Sequence, residues 1–312
     1  KRNPQPYSND YSDCASPKSS NQNPSSGTFN HTLQHDGITR DYKVYVPGSF
    51  SGGKCGFPLV IYMHGGGGTG EAAFRDGLSE AADKFGFILA APNGVEKVWN
   101  GGTWTGWDTV KQKWVEGSCC GTADDVGFIS KMVDAIVGAY PVAEKRVFAT
   151  GISNGGLMTG RLACELSTKM SAIATVAPAG IEDACHPTRK VPALNIHGTG
   201  DRCNPFTGGV PDADFCADQP YVRLTPEQVV TAWRNQNGCT SATTPGYQKG
   251  AATCTRYSTC TSGAEVEFCR VEGMGHTWPS GAQYLPASVV GPVSYDISTD
   301  QIWEFFTRHT ME

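Results

Sequence analysis

The sequence lacks several features that would mark other protein classes. No run of about 18 apolar residues is present, so no segment is predicted to span a membrane. Basic residues form no cluster longer than Lys145-Arg146 or Arg189-Lys190, and the net charge is −5, so nucleic acid is not expected as a partner. No C-x-x-C pair occurs, which disfavours zinc ribbons and thioredoxin-like sites. Neither of these two kinds of site is therefore expected, and the motifs described below call for neither a metal nor a cofactor.

Cysteine, by contrast, is abundant. The 312 residues contain 12 cysteines, an even and high number that favours disulfides formed in an oxidising compartment. Because of the cysteines we expect an extracellular protein, and the polar start is of the kind that a secreted protein has after signal cleavage. Cys203–Cys216 and Cys254–Cys260 would close short loops and are candidate pairs, although spacing alone does not give connectivity.

Composition along the chain predicts one folded domain after a short arm. Residues 1–27 are rich in Ser, Asn and Pro and are predicted to be an N-terminal extension. Residues 28–312 are predicted to form a single folded domain, because strand and helix patterns alternate from Thr28 onward and 39% of the whole chain is hydrophobic.

The pattern of elements predicts an α/β fold with a mostly parallel central sheet, helices on both faces and disulfide-stapled loops. Apolar runs at residues 58–63 and 87–91 are typical of buried parallel strands, and helices are predicted at 70–85, from 124 to about 140, and at 155–166. Residues 99–121 hold four tryptophans among many glycines and are predicted to be a long functional loop.

One short motif fits a nucleophilic serine. Gly151-Ile152-Ser153-Asn154-Gly155 has the form G-x-S-x-G, between a predicted strand and a predicted helix. The bare pattern is weak in a chain with 38 glycines, but its strand–turn–helix setting is the one that a nucleophile elbow requires. The alternative is a glycine-rich helix start in which Ser153 is incidental.

A second glycine cluster, His64-Gly65-Gly66-Gly67-Gly68, follows the buried strand 58–63. Acyl transfer requires backbone N–H groups that stabilise an oxyanion, and we predict those of Gly66 and Asn154. The cluster could instead be a flexible turn. A phosphate loop would need a following Lys-Ser/Thr, which is absent.

The serine needs a base and an orienting acid. His276 lies in a late glycine-rich loop and Asp201 follows a predicted strand, so Ser153, Asp201 and His276 keep the order of hydrolase triads. Three other acids remain as alternatives to Asp201: Asp183, Asp212 and Asp214.

These motifs, with Cys119-Cys120-Gly121 and Gly275-His276-Thr277-Trp278-Pro279, resemble the feruloyl esterase and polyhydroxybutyrate depolymerase-like group of carbohydrate esterase family 1. The resemblance spans roughly residues 42–306. It implies an α/β-hydrolase fold and metal-free ester hydrolysis through an acyl-serine. It also implies substrates outside the cell, either feruloylated or acetylated polysaccharides or polyesters.

Within that group we predict release of ferulic acid from plant cell-wall polysaccharide, because aromatic residues crowd the loops near the expected pocket. The predicted substrate-binding residues are Trp104, Trp107, Trp278 and Asn204. Acetylxylan esterase and polyhydroxyalkanoate depolymerase remain alternatives, as do a peptidase and a catalytically silent glycan-binding protein. The sequence does not predict an oligomeric state.

Overall fold

The structure, a computed structural model, describes residues 24–48, 56–108, 113–181, 185–209, 211, 216 and 223–311. Between residues 104 and 118 it describes the backbone of two strands and not their side chains. Residues 1–23, which make up most of the predicted extension, lie outside the described residues. So do Cys14, Cys55 and the alternative acids Asp183, Asp212 and Asp214.

Strands and helices alternate along the described chain. The strands are β1 (Gly27–His35), β2 (Ile38–Val46), β3 (Phe57–Met63), β4 (Ile88–Pro92), β5 (Asn100–Asp108), β6 (Lys113–Cys120), β7 (Val142–Ile152), β8 (Ala172–Val176), β9 (Ala193–Gly198), β10 (Thr244–Lys249), β11 (Ala252–Tyr257) and β12 (Val266–Val271). The helices are α1 (Ala72–Arg75), α2 (Leu78–Phe85), α3 (Asp125–Ala139), α4 (Asn154–Glu165), α5 (Pro226–Gln236), α6 (Ala287–Val290) and α7 (Thr299–Thr307). Single 3-10 turns lie at Val95–Lys97 and Thr261–Gly263.

Ten of these strands form one sheet in the order β1-β2-β4-β3-β7-β8-β9-β12-β11-β10. The six strands from β4 to β12 in that order run parallel, and antiparallel strands flank them on both sides. Every residue of β3, β4, β8 and β9 is buried, as expected for parallel strands covered on both faces. This confirms the predicted α/β architecture.

Helices cover both faces of the sheet and give it two apolar cores. On one face, α3, α4 and α5 contribute Met132, Leu162 and Trp233. On the other, α2 and α7 pack against the sheet, and Trp303 stacks on Phe87 with 4.9 Å between ring centroids. Among the described residues, none of the helices has the length and apolar character that a bilayer crossing requires.

Helix starts agree with their capping signals. Asp124 caps α3 by accepting a hydrogen bond from the Gly127 N–H, and Thr225 forms a reciprocal capping box with Gln228 at the start of α5. The helix predicted at 70–85 is instead two helices, because Gly77 adopts a φ of 80° and breaks the hydrogen-bond ladder between them.

The tryptophan-rich segment is not the long loop that we predicted. Strands β5 and β6 pair as an antiparallel ribbon outside the main sheet, with Trp107 opposite Trp114 in the register. Alternating apolar and polar residues were diluted there by glycines, which hid the strand period.

The disulfide predictions were half correct. Cys203 is bonded to Cys216 as predicted. The predicted Cys254–Cys260 pair is wrong, because Cys254 is bonded to Cys269 and Cys260 to Cys239. Cys254 and Cys269 are direct neighbours in the antiparallel register of β11 and β12, a relation that spacing along the chain does not show. Cys164–Cys185 and Cys119–Cys120 are also bonded.

Candidate active site

The three predicted triad residues follow three parallel strands. Ser153 comes directly after β7, Asp201 comes three residues after β9, and His276 lies five residues beyond β12. Because parallel strands point the same way, the three residues lie along the carboxyl edge of the sheet, where α/β proteins place their sites.

Ser153 occupies a strained turn between β7 and α4. Its φ of 59° and ψ of −123° are rare for a residue with a side chain. Its N–H donates to the Val176 carbonyl (2.9 Å), and its carbonyl accepts from the Leu157 N–H (3.0 Å). Two flanking glycines make the turn possible. A Cβ on Gly151 would come within 2.6 Å of the Met63 carbonyl oxygen, and one on Gly155 would overlap that same oxygen. This is the geometry of a nucleophile elbow.

Asp201 and His276 are in contact. Nδ1 of His276 lies 2.8 Å from Oδ2 of Asp201, and both residues are buried. The other carboxylate oxygen, Oδ1, accepts hydrogen bonds from the backbone N–H groups of Cys203 and Asn204, both at 2.8 Å. The carboxylate is therefore held at both oxygens and presents Oδ2 to the imidazole, which orients the ring.

A second histidine supports this carboxylate. Nε2 of His197 donates to the Asn204 carbonyl (2.8 Å) and lies 3.5 Å from Oδ2 of Asp201. Burial lowers the pKa of His197, which keeps its imidazole neutral. A neutral His197 does not neutralise the Asp201 carboxylate, whose negative charge can therefore stabilise a positive charge on His276.

The glycine cluster after β3 lies beside the elbow. A Cβ on Gly65 would be 3.6 Å from the Ser153 Cβ, and one on Gly66 would be 3.8 Å from the Asn154 Cβ. Gly68 N–H closes the turn on the Gly65 carbonyl (3.0 Å). Within the described part of the chain, the N–H groups of Gly66 and Asn154 meet no protein acceptor. Both are therefore available to a substrate oxygen.

His64 fixes this glycine turn from within. Its Nδ1 donates to the Gly65 carbonyl (2.8 Å), and its Nε2 accepts from the Gly94 N–H (3.0 Å). Burial lowers the pKa of His64 to about 4. A proton on Nε2 would face the Gly94 N–H, so the fold requires the neutral ring.

Two predicted substrate-binding residues have other roles. Trp278 is 1% exposed, packs edge-on against the Tyr62 ring and donates from Nε1 to Thr299 Oγ1 (3.0 Å), so its ring is part of the core. Asn204 is also buried; its Nδ2 donates to the Ala177 carbonyl (2.7 Å) and ties the acid loop to β8. The side chains of Trp104 and Trp107 lie outside the described part.

The sequence also concealed a polar network beneath the histidine loop. Asp76 is buried and accepts from the Tyr62 hydroxyl (2.5 Å) and from Nε of Arg75 (3.0 Å). The Arg75 guanidinium lies over the Tyr284 ring, and the Tyr284 hydroxyl donates to the His276 carbonyl (3.1 Å). No motif marks these residues, because they are scattered in sequence and only the fold joins them.

One cluster has metal-ligand geometry, formed by Cys254, Glu267 and Cys269. Both cysteines are bonded to each other, so neither offers a thiolate. This cluster is therefore a disulfide beside a carboxylate, and Glu267 pairs with Arg308 instead.

Residues 51–217, just over half of the chain, match the model of the phospholipase/carboxylesterase family. The chain belongs to this family. It is a carboxylic ester hydrolase with the α/β-hydrolase fold.

Named relatives fall in the same class. The chain is 32% identical to NocK of Nocardia uniformis subsp. tsuyamanensis, named as an esterase, over 84% of this chain and 77% of that protein. It is 29% identical to feruloyl esterase B of Piromyces equi, a longer protein; the match covers 76% of this chain and 42% of that protein. The structure of an acetyl xylan esterase from Aspergillus awamori superposes with a TM-score of 0.57 at 15% identity, over 89% of this chain and 99% of that one, and shares the fold.

Proposed function

We propose that this family member is a secreted serine esterase that releases ferulic and related hydroxycinnamic acids from feruloylated plant cell-wall polysaccharide. The observation that carries the chemistry is the 2.8 Å contact between buried Asp201 and His276, at the sheet edge where Ser153 occupies an elbow. Similarity to a feruloyl esterase over most of this chain supports the choice of acyl group.

The mechanism follows from the roles that the geometry allows. His276 takes the hydroxyl proton of Ser153, and Oγ attacks the ester carbonyl carbon. The carbonyl oxygen becomes an oxyanion that accepts hydrogen bonds from the N–H groups of Gly66 and Asn154. Collapse breaks the ester C–O bond, and the sugar alcohol leaves with the proton from His276. Water then attacks the acyl-serine with His276 as base, which frees the acid and restores Ser153.

Asp201 stabilises the imidazolium that forms in each step. Its Oδ1 accepts hydrogen bonds from two backbone N–H groups, and its Oδ2 accepts one from Nδ1 of His276. That bond places the proton of the neutral ring on Nδ1, so that Nε2 has the lone pair that the mechanism requires as base.

The test compares ferulate release from methyl ferulate with acetate release from acetylated xylan, for the wild type and Ser153→Ala. We expect rapid ferulate release that the substitution abolishes. Acetate release without ferulate release would contradict the acyl group and favour the acetylxylan alternative. Ferulate release that survives in Ser153→Ala would contradict the acyl-serine. A control is Ser171→Ala, because Ser171 is a buried serine whose hydroxyl is bonded to backbone and which lies at the far end of the sheet, before β8.

We extend the proposal to the compartment and to domain organisation. Five disulfides among the described residues support an oxidising environment. Detection of the protein in the culture medium of its source, and not in washed cells, is the expected result. A chain that starts at residue 24 keeps β1 intact and should retain the full kcat/KM if residues 28–312 are the catalytic domain.

A further inference from the structure

Trp99 makes a set of hydrogen bonds that its place in the sequence does not suggest. Its side chain is fully buried, at the residue before β5. Nε1 donates to the His64 carbonyl (2.9 Å), and the two rings lie 4.8 Å apart. Its backbone N–H donates to Oδ1 of Asn154 (2.7 Å), and its carbonyl accepts from Nδ2 of the same side chain (2.9 Å). Trp99 is therefore bonded to two separate segments of the active site.

Those two segments carry the proposed oxyanion donors. His64 opens the glycine turn that contains Gly66, and Asn154 is the residue after the nucleophile. The turn follows β3 and the nucleophile follows β7, so each segment comes from a different strand. Both N–H groups must lie within hydrogen-bond distance of the same oxygen atom, because misplacement of a donor by about 1 Å can lower the rate by about a hundredfold.

Trp99 is itself held from behind. The next residue, Asn100, donates its N–H to buried Asp125 (2.7 Å), which pairs with Arg40 at 2.6 Å. The Asn100 carbonyl accepts from Arg161 on α4 (3.0 Å). These bonds fix the peptide that follows Trp99, and so they fix the backbone position of Trp99 relative to α4.

We propose that Trp99 is a positioning residue that sets the separation of the two oxyanion donors, with its indole on the Gly66 turn and its peptide on the Asn154 carboxamide. The proposal rests on the proposed function, in which those two N–H groups bind the oxyanion. Trp99 does not touch the substrate in this scheme. It acts through His64 and Asn154.

The test removes the hydrogen bond from Nε1 and keeps an aromatic ring at position 99. Trp99→Phe deletes the Nε1–H donor and retains most of the apolar volume. The matched control is Trp303→Phe, since Trp303 is also a buried tryptophan packed on aromatic rings, on α7 at the other face of the sheet. Each variant is assayed with p-nitrophenyl acetate for kcat and KM and with a trifluoromethyl ketone, whose adduct with Ser153 carries an oxyanion. Melting temperature is measured in parallel.

We expect Trp99→Phe to lower kcat by about tenfold or more with KM within about twofold, because the lost positioning matters only when the oxyanion forms. The inhibition constant of the ketone should rise by the same factor as kcat/KM falls. Trp303→Phe should lower the melting temperature and leave kcat within about twofold. Unchanged kcat in Trp99→Phe, or an increase in KM alone, would overturn the proposal.

A second variant protects the test against misfolding. Asn154→Ala removes the carboxamide that holds the Trp99 peptide and leaves the Asn154 N–H in place. It should reproduce the loss in kcat and in ketone affinity, and wild-type values would overturn the proposal. Ser153→Ala distinguishes failure of the proposed function from failure of the role of Trp99. Hydrolysis that persists in Ser153→Ala would contradict the proposed function. An inactive Ser153→Ala together with unchanged activity in Trp99→Phe would contradict only the role of Trp99.

Discussion

Protonation of His64 should make this fold lose stability in acid, and the size of the loss follows from its burial. The ring is fully buried, donates from Nδ1 and accepts at Nε2, and its pKa is lowered from 6.5 to about 4. In the unfolded chain the same ring titrates near its ordinary value. As pH falls through the unfolded pKa, the unfolded state binds a proton that the folded state refuses. Stability is therefore complete above about pH 6.5 and is lost progressively down to about pH 4.

The magnitude follows from the two pKa values. Between about pH 7.5 and about pH 4.5, this single group should remove about 2.5 kcal/mol from the free energy of unfolding. His64→Gln retains a donor and an acceptor in a similar position but does not titrate. Urea unfolding at the two pH values should show a loss that is smaller in His64→Gln than in the wild type by about that amount.

A matched control is His186→Gln, which changes an exposed histidine and should leave the wild-type loss unaltered. Burial also lowers the pKa of His31 and His197, but both remain in every variant and cancel in the comparison. An equal loss in the wild type and His64→Gln would refute the reasoning, because it would mean that the buried ring accepts a proton without cost.

Three other substitutions test the site at separate points. Asp201→Asn should lower kcat by about a thousandfold to ten-thousandfold with little change in melting temperature. The two backbone N–H groups that now bind Oδ1 would select the amide oxygen and turn the NH2 group toward Nδ1 of His276, which forces the wrong tautomer of the imidazole. A loss of kcat below tenfold in steady-state assays would contradict this. Gly155→Ala should prevent folding or lower the melting temperature sharply, since its Cβ would overlap the Met63 carbonyl oxygen, and a wild-type thermal transition would show that the elbow has room. Tyr284→Phe removes the hydroxyl that donates to the His276 carbonyl. It should lower the free energy of unfolding by about 1 kcal/mol and kcat severalfold. No change in either quantity would show that this bond does not help to hold His276.

The parts of the site that sequence reasoning located are those encoded by local patterns. A buried strand, a glycine-flanked serine and a helix are contiguous at residues 147–166, so the elbow could be predicted from neighbours alone. The positions of Asp201 and His276 after later strands follow from the topology of parallel sheets, in which every strand end reaches the same edge.

What could not be predicted depends on register and on packing between distant segments. The partner of Cys254 is set by the pairing of β11 with β12, and no spacing rule contains that register. Trp278 lies two residues after the histidine and looked suited to a pocket wall, but the Tyr62 ring and Thr299 draw its indole into the core. The partners of Trp99 are 35 and 55 residues away in sequence, and no motif joins them.

The central claim, that ester hydrolysis passes through Ser153, is tested most directly by titration with a fluorophosphonate. Methyl ferulate hydrolysis should fall in proportion to the fraction of chains labelled, and peptide mapping should place one equivalent of label on Ser153. Complete labelling with undiminished hydrolysis, or loss of activity with the label on another residue, would contradict the account.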